Sequence, residues 1–171
     1  MNSRQNTNVV VTTTRDSGTD GNPANIQGGT ATDAVVYWNP NQTAPANSIM
    51  VRTSDAPYSA NGSVTSEFNP DLAIVLGHEL IHASHIVNGT ASLDDTATHD
   101  FVVRVGNTYE TYRESAPGQV PREEFRTVGF SPYAHVGELT ENRLRRELGQ
   151  PFRVAYYPAG GAHWVCTSCG P

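Results

Sequence analysis

The chain has 171 residues, room for one domain built on one core. Its formal charge of −6 leaves no basic footprint for nucleic acid or for an anionic membrane surface, so the expected partner is a protein or peptide. No stretch reaches the roughly 18–20 apolar residues of a spanning helix, and the polar start from Met1 to Asn6 lacks the apolar run of a Sec signal.

In chain order, residues 1–8 are polar and expected to be mobile; the folded domain is expected over 9–165, with 166–171 as a tail. β-type runs occur at Val9–Thr13, Ala34–Trp38 and Ile49–Arg52, and together they predict a small sheet. The segment Asp16–Thr32, rich in Gly, Asn, Asp and Thr, reads as a loop. The strongest helix signal opens at Asn69-Pro70-Asp71, with Asn as the cap, Pro at the first helical position and Asp complementing the dipole. It closes at Asn88-Gly89. Between these signals the run is apolar on nearly every face, the pattern of a buried central helix. After a polar loop at Asp94-Asp95, Phe101–Arg113 alternates as a hairpin turning near Gly106-Asn107. Two short helices follow, Pro121–Val128 and Thr140–Leu148, the second stopped by Gly149-Gln150-Pro151. The expected class is α+β, a single domain in which a small, mostly antiparallel sheet packs on the buried helix, with two further short helices.

Inside the buried helix, His78-Glu79-Leu80-Ile81-His82 has the pattern H-E-x-x-H. Positions i and i+4 share one helix face, so both imidazoles can reach one Zn²⁺ at roughly 2.0–2.1 Å. Glu79, next to the first histidine, is placed to act as a base on a water at the metal. Buried histidines and a glutamate without partners would cost several kcal/mol, roughly, which weighs against a merely structural role. A catalytic zinc needs a third protein ligand. A longer pattern with Gly at 85 and His at 88 is excluded, because those positions hold His85 and Asn88. Asp94, Asp95 and His99 lie in a loop; Glu123 and Glu124 lie on a short helix, which holds a ligand more firmly and is preferred.

The stretch Gly77–Gly89 resembles the active-site helix of clostridial neurotoxin light chains, and Arg122–Gly129 resembles their third-ligand segment. Leu139-Thr-Glu-Asn142 and Arg153-Val-Ala-Tyr156 are similar to the toxins' supporting glutamate and their Arg-x-x-Tyr pair. The same blocks recur in NleD-like bacterial effector metallopeptidases, a compact family closer in size. The matched blocks span residues 70–157. The resemblance implies a zincin-like, gluzincin-like zinc endopeptidase in which His78, His82 and Glu124 bind zinc and Glu79 is the base. It further implies that Glu123 supports the site, that Glu141 hydrogen-bonds a ligating histidine, and that Arg153 and Tyr156 face the scissile carbonyl. It implies a bacterial effector or toxin, secreted by a non-Sec system into a host cell, and a host kinase as substrate. The toxins' neuronal substrates do not transfer, since this chain lacks the length for their remote binding surfaces.

The substrate is expected as an extended strand beside the zinc helix, on a monomeric enzyme. A self-processing or housekeeping peptidase and a non-catalytic metal-binding module are the competing readings; an intact Glu79 weighs against the last. Cys166 and Cys169, near His163, are too few for a disulfide framework and form an isolated C-x-x-C. Trp38 and Trp164 read as core or rim aromatics, and Arg143, Arg145 and Arg146 as a solvated helix face. The 11 basic residues are all arginine, as a GC-rich genome would produce and as escape from ubiquitination in a eukaryotic cell would favour.

Overall fold

The computed structural model describes residues 4–41, 49–53, 63–67, 71–94, 96–105, 107–115, 121–156 and 164–169. The class is α+β, as expected, and the chain divides into two compact units.

The first unit comprises Met1–Thr43 and Asp71–Leu93. It holds strands β1 (Thr7–Val11), β2 (Gly18–Gly21) and β3 (Ala34–Trp38) and helices α1 (Pro23–Gln27) and α2 (Leu72–Val87). The strands form one sheet in the order β1-β3-β2, with β3 parallel to β1 and antiparallel to β2. Helix α2 packs on it: Ala83 and Ile86 meet Ala34 and Val36 of the central strand, all buried. The segment read as a loop at 16–32 contains β2 and α1. Asn22 caps α1 by accepting the Ala24 and Asn25 N–H groups, and Pro23 suits its start, a local signal masked by the polar composition around it. Strand β1 begins at Thr7, ahead of the expected Val9, because parallel pairing to β3 opens at Thr7↔Ala34.

Helix α2 ends where the sequence places its end. Gly89 adopts φ +67°, and a Cβ there would stand 2.7 Å from the Ala31 nitrogen, so conformation and space both demand glycine. Its start differs. Asp71, not Asn69, is the N-cap, with Oδ1 accepting the Ala73 N–H at 2.8 Å; Asn69 and Pro70 lie outside the described residues. An extended Asp one residue before the helix reaches an N–H of the first turn directly, so it caps rather than merely complementing the dipole.

The second unit comprises Ala44–Pro70 and Asp94–Pro171. It holds β4 (Ile49–Thr53), β5 (Ser63–Glu67), β6 (Thr98–Val105), β7 (Thr108–Ser115), β8 (Arg153–Ala155) and β9 (Trp164–Cys166), with helices α3 (Pro121–Val128) and α4 (Glu141–Glu147). Two antiparallel sheets form, β5-β4-β8 and β6-β7-β9. The predicted single sheet is therefore three among the described residues: β4 pairs with β5 and β8, partners that no local pattern names. The β6–β7 hairpin runs from Thr98↔Ser115 to Val105↔Thr108, longer than the alternation suggested; Asn107 lies in its turn and Gly106 lies outside the described residues.

Helix α3 has the predicted bounds and buries Phe125 and Val128 with Ala97 and Phe130. It ends at Gly129, φ +101°, where a Cβ would stand 2.7 Å from Thr140 Oγ1. Thr140 in turn caps α4 by accepting the Arg143 N–H, so one glycine lets the two short helices approach.

Candidate metal centre

In the first unit, α2 carries His78 and His82 on one face, both largely buried. Their Nε2 atoms are 3.0 Å apart with the rings 77° from coplanar. Two nitrogens bound to one tetrahedral zinc stand about 3.3 Å apart, so the pair needs only a small opening to hold the ion between them. Imidazole nitrogens also suit zinc chemically. The two rings therefore fit a resident zinc.

Glu79 is half-buried, and its carboxylate is held in place. The Thr19 hydroxyl, on β2, stands 2.8 Å from Glu79 Oε2 and 2.8 Å from the Glu79 carbonyl oxygen. Its single hydrogen is shared between two acceptors of the same residue, which ties side chain to backbone and restricts the rotamer. Thr19 falls in the segment read as a loop and matches no motif; only the antiparallel pairing of β2 with β3 brings it to α2. His85, one turn beyond His82, is buried on the same helix.

In the second unit, the first turn of α3 carries a buried Glu123 and a half-buried Glu124. Arg126 on the same helix is ion-paired with Glu138 and lies 4.0 Å from Glu123. Glu141, at the start of α4, is buried; Oε1 accepts from Arg145 Nε at 2.7 Å and Oε2 from Arg153 Nη1 at 2.9 Å. Arg153 also donates to the carbonyl oxygens of Ala155 and Tyr156, and its guanidinium lies 4.5 Å from the centre of the Tyr156 ring. Burial would disfavour this cation, but Glu141, the Tyr156 phenol and Glu124 outweigh it and hold the pKa above the usual arginine value. Arg153, Glu124, Glu141 and Tyr156 thus form one electrostatic group. The backbone beside them is anchored by Glu114, a fully buried carboxylate on β7 that accepts the Tyr156 N–H at 2.9 Å.

Arg145 corrects an expectation. It is not on a solvated face but fully buried, because Glu141 one turn earlier and the Pro151 carbonyl satisfy its guanidinium. His99, weighed as a loop ligand, lies on β6 within an aromatic box. Its ring stacks on Phe130 at 3.9 Å with 2° between planes, and Nε2 stands 3.2 Å from the Val154 carbonyl. Desolvation pushes its pKa down to about 4, against opposing contributions from the Val154 carbonyl and Asp100. A neutral ring donating from Nε2 leaves Nδ1 as an acceptor, and that atom is buried without a hydrogen-bond partner. Asp94 is engaged by Thr96 and Arg122, and Thr96 contributes most to holding its carboxyl below the usual range. Asp95 and His163 lie outside the described residues, as does the side chain of Trp164. Trp38 is half-buried, in keeping with a core or rim aromatic.

No curated protein matches the chain in sequence. The model of the M91 peptidases, described as "Effector protein", matches residues 1–156, a span that contains the histidine pair and the Arg153 group. This is a family of metallopeptidases, and the name effector implies delivery into a host cell. The chain belongs to the M91 peptidase family of effector proteins.

Proposed function

We propose that the protein is a zinc-dependent, zincin-like endopeptidase that cleaves a host protein, with His78, His82 and Glu124 as the metal ligands. The observation that carries this reading is the pair of Nε2 atoms 3.0 Å apart on α2, with the Glu79 carboxylate held by Thr19 beside them. Glu124 joins the set through its match to the third-ligand segment, supported by its half-buried place in the first turn of a helix, beside the buried Glu123. Bound zinc supplies Lewis-acid polarisation of the peptide carbonyl and lowers the pKa of a water towards about 7.

The chain's own residues do the rest. Glu79 takes the proton from the attacking water and passes it to the leaving amine nitrogen. Thr19 keeps the carboxylate in one orientation throughout. Arg153 and Tyr156 supply the donors for the oxyanion: the guanidinium has five N–H groups, and its bonds to Glu141, Ala155 and Tyr156 leave others available. Glu141 fixes Arg153 and, by the resemblance, orients a ligating histidine; Glu123 supports the same end of the site.

The substrate lies extended along β2. Among the described residues this strand is an edge of its sheet, and it carries the residue that touches Glu79, so a peptide added to that edge passes the base. A host kinase is the substrate class that the effector resemblance favours, and delivery by a bacterial non-Sec system is the route consistent with it. The test is incubation of the zinc-loaded protein with host-cell lysate and sequencing of new N-termini. Chelator-sensitive cleavage that is lost in Glu79→Gln, at unchanged zinc content, supports the reading; full cleavage by Glu79→Gln overturns it.

A further inference from the structure

A second set of metal-ligating atoms lies apart from these residues. One ligand atom each from Glu110, Cys166 and Cys169 lie within 4.8 Å of one another. The sheet places them so: Cys166 ends β9 directly opposite Tyr112 on β7, and Glu110, two residues before Tyr112, shares that face of the strand. Tyr112 fixes the carboxylate by donating its hydroxyl to Glu110 Oε2 at 2.8 Å. The C-x-x-C turn is held independently. The Thr167 N–H bonds the Thr111 carbonyl at 2.8 Å, the Thr111 N–H bonds Ser168 Oγ at 2.7 Å, and the Cys169 N–H points at Cys166 Sγ at 2.9 Å. The sulfurs themselves are joined in a disulfide, with the Cα atoms 5.6 Å apart. An N–H aimed at a sulfur stabilises that sulfur as a thiolate, and C-x-x-C is the ligand spacing of small zinc sites.

We infer that this turn is a two-state cross-link. It is a disulfide under oxidising conditions and, once reduced, a site for a thiophilic divalent cation of the zinc class held by Cys166 Sγ, Cys169 Sγ and the Glu110 carboxylate. Two equivalents of a cellular monothiol each give one electron and one proton to the Cys166–Cys169 bond and leave joined as their own disulfide. The two thiols then release two protons as the cation binds. Disulfides persist in oxidising compartments and thiols predominate in the cytosol, so the compartment sets which state the turn adopts. Either cross-link closes the same turn, and the metal form adds a tie from β9 to β7 through Glu110. The inference is independent of the catalytic reading, because none of its residues belongs to that site.

Cobalt provides the test. The full chain is reduced with a phosphine, freed of reductant without oxygen, and titrated with Co²⁺ while the near-ultraviolet spectrum is recorded. A thiolate-to-cobalt charge-transfer band reports sulfur ligation and cannot arise from histidines and carboxylates. The expected result is a band in the reduced protein, none in the oxidised protein or in Cys166→Ser, and a cobalt affinity roughly 10-fold or more weaker in Glu110→Gln. Reduced protein that shows two free thiols by thiol titration yet no band overturns the inference. Unchanged affinity in Glu110→Gln also overturns it, since the carboxylate is then not a ligand. The oxidised and reduced forms are one chain, so a folding defect in a variant does not decide the outcome.

Discussion

The Thr19 hydroxyl stands 2.8 Å from both the carboxylate and the carbonyl oxygen of Glu79, so a residue on an edge strand holds the proposed base of a helix 60 positions away in sequence. Thr19→Val keeps the shape and removes the donor. Peptidase turnover is expected to fall roughly 10- to 100-fold with zinc content unchanged, because a loosened supporting residue misplaces the group it holds. Thr19→Ser should restore most of the rate. Measuring kcat and KM separately checks this: equal turnover in all three proteins would leave Thr19 without a part in positioning.

Glu124→Ala removes the proposed third ligand. Two histidines alone leave the site with too few protein donors for tight zinc binding. Metal analysis after dialysis should find zinc retained by the parent protein and by Glu79→Gln but lost from Glu124→Ala. Zinc retained at the parent level would point to another third ligand.

The buried pairing of Glu141 with Arg145 and Arg153 makes its loss costly. Glu141→Ala leaves two guanidinium groups buried without their carboxylate, and a loss of about 3–5 kcal/mol is the usual scale for breaking such a cluster. Denaturant unfolding followed by circular dichroism gives the value. A cost below about 1 kcal/mol, the range of an exposed pair, would show that solvent reaches the cluster.

His99 should make the fold acid-sensitive. Its pKa is pushed down to about 4 in the folded chain from an ordinary value of 6.5, so the unfolded chain binds the extra proton first. Stability contributed by the neutral ring is complete above pH 6.5 and is lost progressively as pH falls towards 4. His99→Phe keeps the stack on Phe130 and cannot titrate. Melting temperatures measured across that window should fall less steeply for the variant than for the parent, and identical slopes would contradict the assignment.

What could be read from the residues in order was whatever local chemistry dictates. Gly89 and Gly149 end their helices at left-handed positions, Thr140 caps the helix it precedes, and His78 and His82 share a face because the α-helix has a period near four. Pro121–Val128 likewise has the bounds its pattern predicts. Strand partners and buried charges were not legible. Nothing local tells β4 to pair with β5 and β8 rather than with β1 and β3, since one alternating strand resembles another until long-range contacts choose. Arg145 reads as a surface arginine until Glu141 and Pro151 enclose it, and Thr19 reads as a loop threonine until β2 sets it against Glu79. The sequence by itself determined the helix that carries the histidines and the peptidase family; the tertiary structure decided what holds the base and the arginines, because burial and hydrogen-bond partners are properties of the packed chain.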